Sequence, residues 1–429
     1  MCIVLRYFVV RRLRPSQIFD GLFVGMEPRV VGLVLIVGLG SGIVGALYLL
    51  VLHLLQNVLW PTQWSGLIGF AILGGVGLFA GLVTRFLGSP GDVELMVDNI
   101  HVSGSATGVR TLRTLVPISW LCIASGGAMG PEAPLVQTTG TLASWTARRA
   151  GLVVRESRVL TIAGMAAGFT VLFGAPLGAA IFALEMLHRK GLQYYEALLP
   201  AVLGSLAGYV VYVLATGADL RPIFHLTAPV ALRTSDLAWA AAAGVGGALV
   251  AVAFTYISTA LRFGARKVKP ELRPVIGGVL LAALGLGSAF ALTFGEGQIN
   301  EILDHHGGTV AFFALAALAK LLGTSVTLAS EWRGGFIIPL FFMGACLGRA
   351  FHVVAPGTNE AVMVAAFMAS ANAGVTKTPL GSTLVVSEMA GFRLLPTTLI
   401  ATVVAYVLTS EVGLIHTQRE RDIVGEAAE

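Results

Sequence analysis

The sequence predicts an all-α integral membrane protein, and three observations lead to this fold class. Hydrophobic residues make up 56% of the chain and charged residues only 12%, whereas a soluble domain carries about 25% charged residues. Uncharged stretches of about 20 residues, the length that a helix needs to span a bilayer, recur along the chain. The 53 glycines suit helices that pack closely in a membrane.

Five uncharged stretches are long enough to cross the bilayer in full. Shorter apolar pieces, interrupted by Gly and Pro, lie between them. The five stretches cover residues 30–56, 65–84, 198–218, 237–261 and 274–295. We therefore expect full spans that alternate with broken helices.

Basic residues lie at the ends of these spans. An arginine-rich segment, 1–26, precedes the first span, and basic loops occupy 148–158 and 262–273. The positive-inside rule places these segments in the cytoplasm. We therefore predict a multi-pass plasma-membrane protein with both termini cytoplasmic, including a short tail at 416–429. The same bias accounts for the net charge of +5 without a nucleic-acid partner.

Two pairs of similar segments indicate an internal duplication. GFTVLFGAPLGAAIFALEM (168–186) resembles AGVTKTPLGSTLVVSEM (373–389), and GPEAPL (130–135) shares Gly-x-x-x-Pro-Leu with GFIIPL (335–340). The two offsets nearly agree, at 203 (379 − 176) and 205 (339 − 134) positions. Chance similarity between apolar segments is the alternative.

Duplicated halves are typical of transporter folds, in which paired broken helices meet at a binding site near the membrane midplane. We place the first membrane repeat at 27–225 and the second at 226–415.

The first broken segment, GGAMGPEAPLVQ (126–137), places the carboxylate of Glu132 between two prolines. Proline suits the first turn of a helix but not its interior, so a helix is predicted to begin at about 132–134. Its first N–H groups lack intrahelical partners, are costly in lipid and carry the positive end of the helix dipole. Such a helix end is a ready-made anion site.

Glu132 is itself an anion in this position. A dissolved anion would compete for the same N–H groups, and protonation of Glu132 would favour the competitor. The carboxylate is therefore predicted to act as a tethered, proton-sensitive plug, since an ionisable residue at membrane depth is a functional hypothesis by default. The alternative is a glutamate that only complements the helix dipole.

The second broken segment, GGFIIPLFFMGACLG (334–348), repeats this arrangement without the acid. Its two leading glycines allow a close approach of backbone. The N–H groups of Phe336, Ile337 and Ile338 are predicted to face the same anion. The alternative is a glycine-rich helix start that is buried by packing alone.

Together these segments resemble the motifs of the CLC family of chloride channels and transporters. GPEAPLVQ (130–137) is similar to the family's Gly-Arg-Glu-Gly-Pro motif, and GGFIIP (334–339) to its Gly-x-Phe-x-Pro segment. The segments 164–186 and 377–389 resemble the helix pairs that follow in each half. The resemblance implies a CLC-type inverted repeat with broken, re-entrant helices, of the prokaryotic type without CBS domains. It also implies a homodimer in the lipid bilayer with one anion pathway per subunit.

The resemblance assigns roles to individual residues. Glu132 matches the family's gating glutamate, and the backbone of Phe336 and Ile337 matches its central anion site. Ala133 stands at the glycine that follows the glutamate, and Ile415 stands in place of an anion-contacting tyrosine. All five residues are predicted to line the anion pathway.

Other positions depart from the family. Pro131 replaces the arginine before the glutamate. GSPGDVE (88–94) represents the Gly-Ser-Gly-Ile-Pro motif loosely and is one residue shorter, and Ser89 is taken as the serine that touches the anion. Met186 replaces the inner proton-transfer glutamate of the exchangers, which leaves the adjacent Glu185 as the candidate proton relay. Because methionine cannot carry a proton, weak or absent proton coupling is predicted.

Further polar residues are interpreted as structural. Glu388 is expected to cap a helix or to hydrogen-bond within the fold, and EWR (331–333) to form an ion pair or anchor a loop. The chain has no Ser/His/Asp or metal-protease pattern, and its three cysteines have no metal or redox spacing. We predict no enzyme activity, no cofactor and no bound metal.

The sequence thus predicts transmembrane transport of small inorganic anions, chloride by default, gated by Glu132. A chloride/proton or fluoride/proton antiporter is the first alternative. A secondary transporter of an organic solute, built on another inverted repeat, is more distant because it needs a larger polar cavity. An intramembrane enzyme would need a nucleophile–base pair or a metal set that the sequence does not show.

Overall fold

The structure is a computed structural model that describes residues 27–60, 66–89, 91–217, 223–224, 226 and 231–419. Within these ranges the chain forms helices joined by turns, and the one extended pairing is a bridge between Gly130 and Gly335. The predicted all-α fold is confirmed. The predicted N-terminal segment 1–26 and most of the tail 416–429 lie outside the described residues.

Sixteen α-helices are present in the described ranges, eight in each half of the chain. The first eight are α1 (Pro28–Leu59), α2 (Gly66–Leu87), α3 (Val93–Ser103), α4 (Leu112–Ala124), α5 (Glu132–Arg149), α6 (Val154–Phe173), α7 (Pro176–Glu185) and α8 (Leu198–Thr216). The second eight are α9 (Thr234–Ala265), α10 (Arg273–Gly287), α11 (Glu296–Asp304), α12 (Val310–Ala329), α13 (Ile337–Val354), α14 (Glu360–Thr376), α15 (Pro379–Ala390) and α16 (Leu395–Leu408). The equal division agrees with an internal duplication.

Eight of the described helical segments are long and apolar enough to cross a membrane. Four predicted spans correspond to α1, α2, α8 and α9, with bounds shifted by a few residues. The fifth, 274–295, is too long: α10 ends at Gly287, because the next residue, Ser288, is extended with φ −160° and ψ 123°. The span-length helices α6, α12 and α13 were not predicted as spans, because polar residues and glycines interrupt their apolar runs.

Small residues set the distances between helices. An added Cβ at Gly38 of α1 would lie 2.6 Å from the carbonyl oxygen of Gly204 in α8, so these helices approach as closely as glycine allows. The central helices α6 and α14 are buried along nearly their whole length. Peripheral helices such as α1 and α2 expose large apolar side chains, as lipid-facing helices do.

The two halves meet where α7 crosses α15. An added Cβ at Gly381 would lie 2.6 Å from the Cα of Phe182, so the backbones of the two helices are in contact. Both helices begin with proline, whose fixed φ suits a first helical turn. The repeated Pro-Leu-Gly motif therefore marks a crossing between the two halves.

Each of these two helices is capped by a glutamate of the other. Glu388 Oε1 accepts a hydrogen bond from Gly178 N at 2.6 Å, and Glu185 Oε2 accepts one from Gly381 N at 2.7 Å. A carboxylate suits this position because the first N–H groups of a helix lack acceptors and carry the positive end of the dipole. The capping role expected for Glu388 is confirmed, and Glu185 has the same role in the other half.

Candidate functional site

The two broken helices start side by side. Gly130 and Gly335, two residues before the starts of α5 and α13, exchange two backbone hydrogen bonds. Gly130 N donates to Gly335 O at 2.8 Å, and Gly335 N donates to Gly130 O at 2.6 Å. The helix predicted to start at about 132–134 does begin at Glu132. The bridge therefore holds the N-terminus of one helix from each half in one place.

The side chain of Glu132 joins the two helix starts. It is fully buried, and its Oε1 accepts a hydrogen bond from Ile338 N at 2.6 Å. This N–H lies in the first turn of α13, where no intrahelical acceptor exists. The other oxygen, Oε2, is buried and has no hydrogen-bond partner among the described residues. The carboxylate of a tethered plug must reach the N–H groups of a helix start, and that of Glu132 does so. The gating role of Glu132 stays a prediction.

Glycine is required at both bridge positions. An added Cβ at Gly130 would overlap the Glu132 carboxylate. At Gly335 it would lie 2.6 Å from Glu132 Oε2 and 3.0 Å from Ala133 N. The close backbone approach was predicted from the glycine pair of the second segment, whereas the bridge to the first segment was not.

A small cavity of about 30 Å³ lies against Glu132, and we call it the central cavity. It has room for about one water-sized particle. Four further residues of the predicted site, Ala133, Phe336, Ile337 and Ile415, line it. The remaining lining residues are Val93, Met96, Val136, Phe169, Phe182, Met186, Gly335 and Thr376. The walls are therefore almost entirely apolar, and the Thr376 hydroxyl is engaged elsewhere, since it donates to Asn372 O at 2.8 Å.

A larger cavity of about 490 Å³ adjoins the central cavity. Val93, Ala133, Phe336 and Ile415 line both cavities. We call the larger one the basic vestibule because four arginines line it: Arg262, Arg266, Arg273 and Arg333. An anion that passes the shared wall moves between an apolar cavity and a positively charged space.

Ser89 lies in the basic vestibule and does not line the central cavity. It is exposed, and its Oγ accepts a hydrogen bond from Arg333 Nη2 at 3.0 Å. The start of α3 is capped by Asp92, which accepts from Leu95 N at 3.0 Å. The sequence placed Ser89 against the central anion. The structure places Ser89 on the vestibule side, and its contact with an anion stays a prediction.

A third cavity, of about 600 Å³, lies near Glu132. Ile338, whose N–H binds Glu132, lines this cavity together with Glu296, Glu301 and His53. We call it the acidic vestibule. Among the described residues, none lines both this vestibule and the central cavity. Glu132 lines the central cavity and binds the N–H of Ile338, which lines the acidic vestibule, so its side chain connects the walls of the two spaces.

Met186 lines the central cavity, whereas Glu185 does not. The Glu185 carboxylate is buried and accepts from two N–H groups at the start of α15, the closer being Gly381 N at 2.7 Å. Gln418 Nε2 donates to the carbonyl oxygens of Met186 at 2.9 Å and of Thr376 at 2.8 Å. The segment that carries Ile415 is thereby fixed against the cavity wall.

A buried lysine in α12 was not predicted from the sequence. Lys320 is fully buried, and its Nζ donates to the carbonyl oxygens of Leu292 at 2.7 Å and Thr293 at 2.8 Å. A third acceptor is Oε1 of Gln298 at 2.8 Å, and the ammonium lies 4.9 Å from the ring centre of Phe342. The available signal was a lysine in the middle of an apolar run, which is rare without a role.

The described residues contain no group of three or more His, Cys, Asp or Glu side chains placed to hold a metal ion. The chemistry assembled around Glu132 is that of backbone N–H groups, helix dipoles and one carboxylate.

The fold and the site define a class of protein. It is a multi-pass membrane protein with two inverted, related halves, in which one broken helix from each half starts at a shared site between two vestibules. The family model of the voltage gated chloride channel matches residues 76–410. The chain belongs to this family, and the resemblance to the CLC proteins is confirmed.

Individual relatives agree with this assignment. A chloride/fluoride channel protein from Pseudomonas syringae pv. tomato is 28% identical over 414 residues, which cover 90% of this chain and 85% of that protein. The solved structure of a CLC-type fluoride/proton antiporter matches with a TM-score of 0.80 at 23% identity, covering 95% of this chain and 99% of that chain. A slow cyanobacterial Cl−/H+ antiporter matches with a TM-score of 0.78 at 19% identity, covering 94% and 98%. The predicted inverted-repeat fold is confirmed.

Proposed function

We propose that the chain moves small inorganic anions across a membrane, chloride by default, with Glu132 as the gate. One observation carries the proposal: the Glu132 carboxylate occupies a site at two adjoining helix starts, between the central cavity and the acidic vestibule. Membership of a family of anion-transport proteins supports the general activity.

The anion is held in the central cavity without a full positive charge. No Lys or Arg is among its described lining residues. The partial positive ends of α5 and α13 and the backbone of Phe336 and Ile337 supply the attraction instead. A fixed full charge in so small a space would hold the anion too tightly for release. Ala133 and Ile415 complete the wall toward the basic vestibule.

Glu132 competes with the anion for this site. When ionised, it holds the N–H of Ile338 and blocks the way to the acidic vestibule. Hydrogen bonds to an ionised acceptor are about twice as strong as neutral ones. Protonation therefore weakens the hold of Glu132 and lets the anion take the N–H groups. Its second oxygen, Oε2, has no hydrogen-bond partner among the described residues and is free to carry that proton.

Fluoride is the second candidate substrate. The central cavity of about 30 Å³ fits a water-sized particle, and fluoride is closer to water in size than chloride is. One relative is named a chloride/fluoride channel protein, and one protein of the same fold is a fluoride/proton antiporter. Both observations support a comparison of the two ions in one assay.

We propose that proton coupling is weak or absent. Met186 lines the central cavity at the position where the resemblance places the exchangers' proton-transfer glutamate, and a thioether cannot carry a proton. Glu185, the candidate relay, binds the N–H groups of α15 instead. The antiporter stays the alternative, because two of the matched solved structures are described as antiporters.

We further propose a plasma-membrane homodimer with its membrane repeats at 27–225 and 226–415. The basic loop at 262–273 contributes Arg262, Arg266 and Arg273 to the basic vestibule, so the positive-inside rule assigns this vestibule and both termini to the cytoplasm. The homodimer rests on the family resemblance. Mass photometry is expected to show a dimer, and a monomer at working concentration would contradict it.

Transport of an organic solute fits the cavities less well. The central cavity at about 30 Å³ is far below the roughly 300–1,000 Å³ of typical small-molecule sites. An organic solute would also need convergent polar side chains, and the described walls of the central cavity offer almost no polar surface.

Reconstitution tests the proposal. Purified protein in liposomes is expected to dissipate gradients of chloride, with fluoride, bromide and nitrate measured in parallel. A fluoride rate well above the chloride rate would reassign the substrate. No flux of any of these anions above that of empty liposomes would contradict the proposed function.

A further inference from the structure

The basic vestibule contains both paired and unpaired cations. Arg262 Nη1 lies 3.2 Å from Glu94 Oε1, and Arg273 forms an ion pair with Glu331. The third acid of the lining, Asp92, is used as the cap of α3. Two arginines of the lining, 266 and 333, therefore have no carboxylate within ion-pair distance among the described residues.

Arg333 lies where the vestibule meets the central cavity. It directly precedes the two glycines of the second broken segment, and Phe336, three residues further on, lines both cavities. Its neighbour Trp332 is buried and donates from Nε1 to Pro274 O at 2.8 Å, which anchors this turn. Arg266, in contrast, is an exposed residue just beyond the end of α9.

Two neutral acceptors tether the Arg333 guanidinium. Nη1 donates to Gly91 O at 3.0 Å, and Nη2 donates to Ser89 Oγ at 3.0 Å. Nε is buried and has no hydrogen-bond partner among the described residues. Both tethers are uncharged. Glu331 and Asp92 act on the guanidinium through space, but neither lies within ion-pair distance, because Glu331 pairs with Arg273 and Asp92 caps α3. Part of the attraction of Arg333 is therefore available to a dissolved anion.

We infer that Arg333 recruits anions from the basic vestibule to the central cavity, and that Ser89 acts through Arg333 by holding its guanidinium. The inference rests on the proposed function. It assigns Ser89 a positioning role in place of direct contact with the anion in the central cavity. Arg333 thereby places a cation beside the pathway. In the first broken segment, Pro131 stands where the family has an arginine.

The physical reason is that a cation in a cleft with low-dielectric walls raises the local anion concentration. A guanidinium is weakly hydrated and presents several donors in a fixed plane. Because these donors do not enclose the anion, a small anion leaves for the next site more readily than it would leave a closed cage of donors. Removing this charge should weaken capture of the anion and leave the later steps at the Glu132 gate unchanged.

The test is exchange of radioactive chloride across liposomes at equal chloride on both sides, over a range of concentrations. Arg333→Gln is expected to raise the KM roughly tenfold, with a nearly unchanged maximal rate and a weaker dependence on ionic strength. Arg333→Lys keeps the charge and should restore most of the ionic-strength dependence. Arg113→Gln removes the same charge from an exposed position in α4 that lines none of the three cavities, and it should leave the KM close to that of wild type.

Ser89→Ala tests the tether. It is expected to raise the KM in the wild-type background but to have no further effect in Arg333→Gln, because the two residues act as a unit. An equal effect of Ser89→Ala in both backgrounds would show that the serine acts independently of Arg333. That result would overturn the positioning role of Ser89.

A KM for Arg333→Gln no higher than that of Arg113→Gln would overturn the role of Arg333. If Arg333→Gln does not fold, Arg333→Lys decides: wild-type salt dependence supports the inference, and a salt dependence as flat as that of neutral liposome leak overturns it. Absence of flux in the wild type would instead contradict the proposed function.

Discussion

At the scale of single residues, the proposed gate is one carboxylate, that of Glu132, surrounded by backbone. Glu132 is fully buried and binds the N–H of Ile338, while Gly130 and Gly335 leave room for it. A charged side chain at the centre of a membrane helix costs roughly 2.5–3.5 kcal/mol on insertion scales. Adjacent helix N-termini offset part of this cost, and the same N–H groups are what a competing anion would use.

Glu132→Gln is expected to make anion flux nearly independent of pH. The amide keeps the shape of a protonated carboxyl but has no charge and no titratable proton, so the wild-type rise in flux as pH falls should disappear. The measurement is chloride efflux from liposomes over a range of pH. Glu301→Gln, which removes an exposed acid from the acidic vestibule, is the matched control and should keep the pH dependence. A Glu132→Gln profile that follows the wild-type profile would exclude Glu132 as the gate.

At the scale of elements, the site is a junction of two helix starts held by two backbone hydrogen bonds. The bridge between Gly130 and Gly335 fixes α5 relative to α13. The reciprocal caps of Glu185 and Glu388 fix α7 relative to α15. Both contacts connect corresponding parts of the two halves, so the gate is positioned by the repeat rather than by either half alone.

Gly335→Ala tests the bridge. The added methyl group would lie 2.6 Å from Glu132 Oε2 and 3.0 Å from Ala133 N, and overpacking of this kind costs about 1–3 kcal/mol. We expect a lower melting temperature together with a clear loss of chloride flux. Gly40→Ala in α1 is the control, because an added Cβ there has nothing within 4 Å. Equal behaviour of the two variants would show that the bridge geometry does not matter.

The paired caps allow a comparison of two equivalent glutamates. Glu185→Gln and Glu388→Gln each weaken a charge-assisted cap, at about 1 kcal/mol per cap, so both should lower the melting temperature by similar amounts with flux near wild type. Thermal unfolding and liposome efflux measure the two effects. If Glu185→Gln alone abolished proton movement, Glu185 would be a relay, and the proposal of weak coupling would be wrong.

The sequence predicted the elements that carry local signals and missed those set by packing. Proline and glycine mark the helix start at Glu132 and the close approach at Gly335, and both were predicted. Phe169 and Thr376 line the central cavity but were not predicted. They lie in α6 and α14, which are buried on all sides, so no periodicity distinguishes a cavity-lining face. The hydrogen bond between Arg333 and Ser89 was not predicted, because the two residues are distant in sequence.

At the scale of the whole molecule, we propose one path through the three cavities. The basic vestibule of about 490 Å³ shares four lining residues with the central cavity, whereas the acidic vestibule of about 600 Å³ is separated from it by Glu132. Attraction of anions is therefore expected to be stronger on the arginine-lined side. The path narrows from hundreds of cubic ångströms to about 30 Å³, which restricts passage to small ions.

Anion transport with weak or absent proton coupling can be tested with a chloride gradient across liposomes that contain the purified protein. Chloride and pH are recorded together. We expect the chloride gradient to collapse far faster than in empty liposomes, without sustained uphill proton movement. Uphill proton movement that disappears in Glu132→Ala would show an antiporter and contradict the proposed weak coupling. A chloride gradient that persists as long as in empty liposomes would contradict anion transport by this path.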